Sequence, residues 1–409
     1  MATRITEKYS FKTDIITAYS GKEQRIMLRR EPRRSYSYDY DAMDGIQAQW
    51  IRGIGRLRIS DAFYVPMWQN IMYLRKDFNG GKNLEVDSDY LYGLRDCQYM
   101  ELFVKDDVPG YGYNTVLKIN NVYDGVIELR NPLRKTLSPK NTWLYPLRKC
   151  AVQPSDSVKY VYHDGATSTL NFLDLLETTT KNFPKHIISE YRDLEEINHF
   201  KLPKMLNEKE VFWWQPTWTS EEEMLSTNRN YINLDNETGQ FVYDLKNTRY
   251  YDINSYTILL HNRKMIDNMI KFFIRMGGRY KSFYAPSWVN DFVPAFDIKA
   301  GDTSMLTAFD NYFRFFGNTA REKYIVIFTK DFNHKIMKIS GHTYEMINKK
   351  RYGKIILGGT FDEAIKKDDI SMISFLNLVR LDSDDLQIDY ESNVVATTRL
   401  VFKEVDDNF

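Results

Sequence analysis

A hexapeptide that occurs twice constrains the fold of this chain more than any other feature of its 409 residues. Each copy has two adjacent aromatic residues, a proline two positions later and a tryptophan two positions after that. The copies are Phe63, Tyr64, Pro66 and Trp68 and, 220 positions further on, Phe283, Tyr284, Pro286 and Trp288. Because this combination is uncommon, its recurrence predicts one domain fold used twice, with the motif at the same point in each copy. The alternative is two unrelated α+β domains that share a hexapeptide by coincidence.

The predicted elements around the motif follow the same order in both halves. In the first half, alternating residues over 11–40, including Tyr36 and Tyr38, predict strands. A helical period over 41–58, with Asp41 as N-cap and Ile46, Trp50 and Ile54 on one apolar face, predicts a helix. In the second half, alternation over 256–260 predicts a strand, and helical spacing over 265–276 predicts a helix that stops at Gly277. Strands then follow each motif. The sequence thus predicts an α+β, β-dominated chain with two tandem β-sandwich or barrel-like domains, each with one helix between its early strands and the motif.

These patterns divide the chain into three segments. A first β-rich domain is expected at 1–175 and a second domain of the same type at 211–409. Between them, apolar residues at helical spacing after position 184 predict a helical linker over 176–210. The composition agrees, since 43% hydrophobic residues allow a sizeable core and 15% aromatic residues favour strands and large interfaces.

The sequence contains no recognisable catalytic or cofactor-binding constellation. The six histidines lack metal-ligand spacing, the glycine-rich segments lack the strand-to-helix context of a phosphate-binding loop, and no Gly-x-Ser-x-Gly elbow occurs. Two cysteines, Cys97 and Cys150, predict neither a disulfide framework nor a metal cluster. We therefore expect a protein that is not an enzyme, with no cofactor and no catalytic or metal-binding residues. A hydrolase with dispersed carboxylates is the alternative.

The overall charge argues against two classes of partner. The 56 basic and 55 acidic residues leave a net charge of +1, which gives no global attraction to nucleic acid or to an anionic membrane. No apolar run approaches the roughly 20 residues that cross a bilayer, and residues 1–10 have no apolar signal core. We expect a soluble protein made in a cytoplasm.

Two local clusters are candidates for interaction. A basic cluster near the N-terminus contains Arg25, Arg29, Arg33 and Arg34. Acidic residues are interleaved with it, which favours a salt-bridge surface between subunits or domains over a solvated face or a nucleic-acid contact. An aromatic cluster contains Trp213, Trp214 and Trp218. It is expected either as a strand that covers one end of a core or as an anchor of a subunit interface.

The opening of the chain resembles tail proteins of long-tailed bacteriophages. The residues that carry the resemblance are Thr13-Asp14, Ser20-Gly21, Glu23-Gln24-Arg25 and Pro32-Arg33-Arg34, followed after a helix by Tyr64-x-Pro66-x-Trp68. The pattern is similar to that of distal tail proteins, the rings that join the tail tube to the tip, with the domain duplicated here. The second half lacks the arginine-rich opening.

The resemblance implies a virion structural protein that forms a ring at the distal end of the tail and connects the tail tube to the tip or baseplate hub. Its partners would be further copies of itself, as a trimer or hexamer, and other tail proteins of the tube, hub and fibres. Nucleic-acid specificity and a membrane span are not expected. The protein would be assembled in the host cytoplasm and located in the virion tail. The alternative is a carbohydrate-binding or receptor-binding module of the tail tip, with exposed tryptophans stacked on sugars.

Overall fold

A computed structural model provides the structure of the protein. It describes residues 4–57, 62–87, 97–105, 112–123, 125–153, 157–162, 165–175, 202–218, 224–235, 237, 239, 241–312, 314 and 323–406.

Strands dominate the described chain, and two α-helices interrupt them. The first half contains β1 (Arg4–Ser10), β2 (Thr13–Thr17), β3 (Glu23–Met27), β4 (Arg33–Met43), α1 (Gly45–Leu57), β5 (Phe63–Pro66), β6 (Met72–Tyr73), β7 (Gly81–Glu85), β8 (Tyr99–Lys105), β9 (Gly112–Tyr123), β10 (Val126–Leu133), β11 (Thr142–Val152), β12 (Ser157–Tyr162) and β13 (Gly165–Asp174). The rest contains β14 (Met205–Leu206), β15 (Lys209–Glu210), β16 (Met224–Asp235), β17 (Phe241–Leu260), α2 (Arg263–Met276), β18 (Ser282–Pro286), β19 (Ser304–Thr307), β20 (Lys323–Thr329), β21 (His334–Ile347), β22 (Lys350–Leu357), β23 (Ile370–Leu381), β24 (Asp385–Tyr390) and β25 (Ala396–Glu404). Short 3-10 helices lie at Trp68–Asn70 and Lys367–Asp369.

The strands pair in antiparallel fashion, and the β-dominated class expected from the sequence is confirmed. Nine pairings in the first half have a counterpart in the second. They are β1–β4 and β16–β17, β4–β13 and β17–β25, β5–β11 and β18–β23, β7–β10 and β19–β22, β8–β9 and β20–β21, β8–β11 and β20–β23, β9–β10 and β21–β22, β11–β13 and β23–β25, and β12–β13 and β24–β25.

Four hydrophobic clusters form the interior, two in each half. In each half one cluster packs against the α-helix and the motif strand, and the other lies among the strands that follow the motif. Tyr36 and Tyr38 of β4 are buried, as their alternation predicts. The helix therefore belongs to the same core as the motif in both halves.

The second helix follows its sequence prediction closely. Asn262 caps it by accepting a hydrogen bond from the backbone N–H of Met265 at 2.8 Å, and Gly277 ends it in the left-handed conformation at φ 65°. Met269 and Phe273, among others on the predicted face, are buried. The helical spacing and the stop signal of this segment are confirmed.

The first helix begins later than predicted. β4 continues to Met43, which pairs with Ala166 of β13, and the helix starts only at Gly45. The carboxylate of Asp44 accepts a hydrogen bond from the backbone N–H of Gln47 at 2.7 Å. The N-cap is thus Asp44 and not Asp41, because strand pairing extends the preceding strand beyond the boundary that local periodicity indicates.

The buried face of the first helix also differs from the expectation. Ala48 and Ile51 face the core, with Ile54 partly buried. Ile46 and Trp50, which the sequence pattern places on the apolar face, are exposed, and the Trp50 side chain is 68% accessible. The described surface of this helix therefore carries an apolar pair that its own half does not cover.

The N-terminal strand connects the two halves. β1 pairs with β4 on one side and with β24 on the other. After β1, Phe11 enters the core of the second half, 5.5 Å from the ring of Phe273. The following hairpin, β2–β3, pairs with no other described strand.

The linker prediction falls largely outside the described residues, which resume at 202. The described end of that segment is not helical. Met205–Leu206 and Lys209–Glu210 form a two-stranded hairpin whose turn residues, Asn207 and Glu208, have φ of 46° and 65°. Left-handed backbone at two successive residues cannot continue a helix but suits a tight hairpin turn, so the helical expectation for 205–210 is wrong.

Candidate interaction surface

The two motif copies lie at the same place in their sheets. Phe63–Pro66 is β5 and pairs with β11, and Ser282–Pro286, which contains the second copy, is β18 and pairs with β23. Each motif proline is the last residue of its strand, where extended backbone is compatible with its fixed φ. The hexapeptide thus begins as a strand in both halves.

The aromatic contacts of the motif recur as well. Phe63 lies 6.0 Å from Phe172 of β13, and Phe283 lies 5.2 Å from Phe402 of β25, as measured between ring centres. A tyrosine completes each group. Tyr38 lies 5.4 Å from Phe172, and Tyr256 lies 5.3 Å from Phe402.

The second aromatic residue of the motif also contacts a tyrosine in both copies. Tyr64 contacts Tyr99 of β8 at 5.0 Å, and Tyr284 contacts Tyr324 of β20 at 5.7 Å, in an edge-on arrangement in both cases. Edge-on packing of this kind is favoured by the charge distribution of the rings. The equivalent strands therefore present equivalent side chains to the motif.

The motif tryptophans have different surroundings. Trp68 is half-buried and stacks on Tyr38 at 5.4 Å, whereas Trp288 is buried and stacks on Phe328 at 5.3 Å. Trp288 also has a φ of 54°, which is uncommon for a large side chain. The tryptophan of the second copy is therefore more deeply buried than that of the first.

The aromatic cluster at 211–218 belongs mainly to the core of the second half. Trp213 and Trp214 are buried and stack at 4.1 Å. Phe212 lies at their centre, 5.3 Å from Phe272 of α2 and in contact with Phe283. Trp213 and Trp214 are therefore covering residues of the core, as one of the two expectations states. They are not exposed stacking platforms for sugar.

Trp218 differs from the other two tryptophans because it is 57% exposed. It follows Thr217, whose backbone N–H donates to the carbonyl oxygen of Thr257 at 2.8 Å and whose hydroxyl accepts from the N–H of Leu259 at 3.0 Å. The segment is thus fixed to β17 just before the exposed ring. Of the three candidate tryptophans, this one is available to a partner.

The arginines of the basic cluster separate into different environments. Arg25 is buried beside Glu23, with Nε 3.0 Å from the carboxylate, and its Nη1 donates to the carbonyl oxygen of Tyr280. Arg29 donates to the carbonyl oxygen of Ser10 at 2.9 Å. Arg25 and Arg29 therefore already have hydrogen-bond partners within the chain.

Two further arginines lie on β4. The guanidinium of Arg34 lies 5.4 Å from the ring centre of Tyr9, and Arg33 is exposed. Arg33 is therefore the member of the cluster that is most accessible to a partner molecule. Arg25, by contrast, already forms an ion pair with Glu23 of the same chain.

Glu23 is the centre of that contact, and sequence reasoning missed it. Its carboxylate accepts two hydrogen bonds from Arg380 at 2.7 and 2.9 Å and one from Lys403 at 3.0 Å. Burial by itself would raise the pKa of Glu23, but the hydrogen bonds and charges of Arg380 and Lys403 outweigh it and lower the pKa to about 2. A carboxylate on the N-terminal hairpin thus joins the hairpin to the second half.

A second carboxylate supports the same contact. Asp384 accepts hydrogen bonds from the backbone N–H of Thr13 at 2.7 Å and of Arg279 at 3.0 Å. It also lies 3.3 Å from the Arg279 guanidinium. Only residues far apart in the sequence make these contacts, so local patterns contain no signal for them.

Two strands have a free edge within the described chain. β12 pairs with β13 alone, and β16 pairs with β17 alone, among the residues that the structure describes. Tyr160 and Tyr162 of β12 are exposed, and Val161 between them is 71% exposed. Strand edges with exposed apolar side chains are sites of pairing with another chain.

The chemistry of the described residues offers no ion site and no spanning helix. No group of three His, Cys, Asp or Glu side chains within the described ranges is arranged to hold a metal ion. In the same ranges, neither helix has the length and apolar character needed to cross a bilayer. The open edges are the strongest candidates for interaction.

Comparisons with known proteins identify no family. No family model and no curated protein matches the chain. A point mutant of Bacillus subtilis oxalate decarboxylase aligns over 98% of this chain and 78% of its own, at 7% identity and a TM-score of 0.11. The formate complex of Lactobacillus farciminis oxalate decarboxylase aligns over 98% and 86%, at 7% identity and a TM-score of 0.08. At such TM-scores the likeness carries no argument about fold or function.

Proposed function

We propose that this protein is a virion structural protein of a long-tailed phage. It forms a ring at the distal end of the tail and connects the tail tube to the tip or baseplate hub. Its role is structural and not enzymatic, and its partners are further copies of itself and other tail proteins. The observation that carries the proposal is the set of nine strand pairings common to both halves, which accompanies the resemblance of residues 13–34 to distal tail proteins.

The proposal includes a tandem duplication of one β-sandwich-like domain. When Phe63 is aligned with Phe283, the strand registers align Phe172 with Phe402 and Tyr99 with Tyr324. These are the residues that contact the motif in each half. Two unrelated domains that share a hexapeptide would have no reason to repeat the partners of that hexapeptide on distant strands.

A duplicated domain with free strand edges suits a ring. A closed ring needs two different surfaces on each subunit that meet head to tail. Three chains with two similar domains each would provide six similar units, which matches a sixfold tube to a threefold tip, and six chains would provide twelve. β12 and β16, whose outer edges pair with no other described strand, lie in different halves and would supply two such surfaces.

The carbohydrate-binding alternative loses much of its basis. Sugar stacking requires exposed aromatic faces, and Trp213 and Trp214 are buried. Trp218 is exposed but stands without its two neighbours. Glycan binding that is lost in Trp218→Ala, with assembly intact, would restore this alternative.

The oligomeric state tests the proposal. The purified protein should have the mass of three or six chains by light scattering after size exclusion, and negative-stain electron microscopy should show closed rings. Measurements over a wide range of protein concentration separate a specific ring from aggregation, because only the ring keeps one mass. A monomer at every concentration, with no rings on the grid, would contradict the proposal.

A further inference from the structure

We propose that the ring closes by antiparallel pairing of β16 of one chain with β12 of the next. This inference rests on the proposed ring and specifies the surfaces that form it. The partner is a second copy of this chain. The contact extends one β-sheet across the subunit boundary, as in other cases of strand addition.

The chain contains a template for this contact. β1 pairs with β4 of its own half and, on its other edge, with β24 of the second half. The pairing is antiparallel over six residues, from Ile5 opposite Tyr390 to Ser10 opposite Asp385. The second half thus presents the edge of β24 to the first strand of the first half.

The free strands are the counterparts of these two. β16 pairs with β17 as β1 pairs with β4, and β12 pairs with β13 as β24 pairs with β25. Within the described chain, β16 and β12 lack the pairing that β1 and β24 make with each other. The joint between the halves therefore exists once inside the chain, and counterparts of both of its strands occur a second time without this pairing among the described residues.

The strand registers of the two halves predict which residues of β16 and β12 should lie opposite each other. Tyr36 of β4 lies opposite Phe172, and Asn254 of β17 lies opposite Phe402, so Tyr36 and Asn254 occupy equivalent positions. Glu7 lies opposite Tyr36, and Leu225 lies opposite Asn254. Leu225 is therefore the counterpart of Glu7.

The same procedure applies to β12. Ser168 of β13 and Thr398 of β25 are equivalent, and they lie opposite Val158 and Ile388. Because Glu7 lies opposite Ile388 in the template, Leu225 of one chain should lie opposite Val158 of the next. One position along, Lys8 opposite Gln387 places Ser226 opposite Ser157.

The surface character of both strands fits occupation by another chain. Exposed tyrosines follow the predicted contact on β12, and Tyr231, Ile232 and Leu234 are exposed on β16. Unpaired edges with apolar side chains in an isolated chain are prone to uncontrolled pairing. A defined partner strand would satisfy the backbone groups at the aligned positions 224–226 and 157–159.

Cysteine cross-linking tests the pairing and its register. The double variant Ser157→Cys/Ser226→Cys places two thiols opposite each other across the subunit boundary, within the Cα separation that a disulfide requires. The two native cysteines are buried and do not compete. After oxidation, a denaturing gel without reductant should show covalent multimers up to the size of the ring, and reductant should return them to single chains.

The matched control is Ser157→Cys/Thr227→Cys. Adjacent residues of a strand point to opposite faces of the sheet, so these thiols should face away from each other. We expect about tenfold less multimer than in the first variant. Val158→Cys/Leu225→Cys, the neighbouring aligned pair, provides a second test if the serine variant folds poorly, which circular dichroism would reveal.

The outcomes separate this inference from the proposed function. Rings in the microscope, with multimers from neither aligned pair, would overturn the β16–β12 contact and leave the ring intact. Cross-links confined to single chains would also overturn it, because both strands would then pair within one molecule. A monomer with no rings would overturn the proposed function, and this inference with it.

Discussion

The two motif copies share their strand pairings but differ in what covers them. Tyr64 is 47% exposed, whereas Tyr284 at the same position is 7% exposed. In the second half, the N–H of Phe212 donates to the carbonyl oxygen of Tyr284 at 2.7 Å, and Val211 bridges to the same residue in parallel. Among the described residues, β5 pairs with β11 alone. Similar local sequence thus produces a similar strand, and a distant segment determines whether that strand is core or surface.

The two helices show the same contrast in burial, because the helix of the second half is the more deeply covered. α2 buries a broad apolar face beneath Phe212 and Trp214, whereas α1 leaves Ile46 and Trp50 exposed. The second half is consequently the more completely packed of the two. Five predictions can sharpen or break this contrast.

Removal of the first aromatic residue of the motif should give the largest loss of stability, and the loss should differ between the two copies. Phe283 is fully buried among Phe272 and Phe402, and Phe283→Ala should lower the free energy of unfolding by about 3–5 kcal/mol through lost contacts and a cavity. The matched variant Phe63→Ala, at a half-buried site, should cost about 1–2 kcal/mol. Chemical denaturation measures both, and equal costs would break the contrast.

The contact between the N-terminal hairpin and the second half should respond next most strongly. Glu23→Gln removes the charge that Arg25, Arg380 and Lys403 share, and the loss of a buried partner should cost about 3 kcal/mol. Asp14→Asn, at an exposed carboxylate on the same hairpin, serves as the control, and its change in the free energy of unfolding should be close to zero. A small loss in Glu23→Gln would mean that apolar contacts alone hold the hairpin.

The pH dependence of the same contact has a defined sign. Because the pKa of Glu23 is lowered to about 2 in the folded state, its contribution is fully present above pH 4.5. That contribution is lost as the pH falls towards 2. The stability difference between the wild type and Glu23→Gln should shrink over this interval.

Asp291, which follows the second motif, should have the opposite pH dependence. Burial raises the pKa of Asp291 to about 6, although the Ser287 hydroxyl and the backbone N–H of Phe375 both donate to it. The folded state binds the proton more tightly, so Asp291 should reduce stability as the pH rises from about 4 to about 6. Ile71 occupies the corresponding position after the first motif and does not titrate.

Unfolding free energies of the wild type and Asp291→Asn between pH 4 and 8 measure this effect. The wild type should lose stability relative to the variant as the pH rises through that interval. A difference that is constant with pH would show that Asp291 stays ionised in the folded protein.

The exposed helix surface should give the smallest effect. Trp50→Ala should change the free energy of unfolding by no more than about 0.5 kcal/mol, because the side chain is largely in solvent. Thermal denaturation of the isolated chain measures it, with Ile51→Ala on the buried side as the reference for a core loss. A cost comparable to that of Ile51→Ala would show that α1 is covered as fully as α2.

Sequence patterns predict the local features of this fold well. The β-dominated class, the helical spacing over 265–276 with its stop at Gly277, and the buried tyrosines of β4 all follow from local sequence patterns. The start of α1 and the environment of Trp50 do not. Both depend on strand pairing and on packing against other segments, which periodicity does not contain.

The candidate surface was predictable only in part. The tryptophan cluster is visible in the sequence, but a sequence cannot tell a tryptophan that fills a core from one that meets a partner. The arginine cluster is equally visible, yet Arg25 faces Glu23 inside the chain and Arg33 faces solvent. The ion pairs of Glu23 with Arg380 and Lys403 join residues more than three hundred positions apart, and only folding brings them together.

By itself, the sequence determined where strands, helices and the repeated motif occur, because backbone periodicity and capping act over a few residues. The tertiary structure alone decided which copy of the motif is covered, that β1 crosses to pair with β24, and that β12 and β16 each pair on one edge only within the described ranges. These outcomes are set by strand pairing and side-chain packing between distant segments. The physical reason is that burial belongs to the whole fold and not to the local segment.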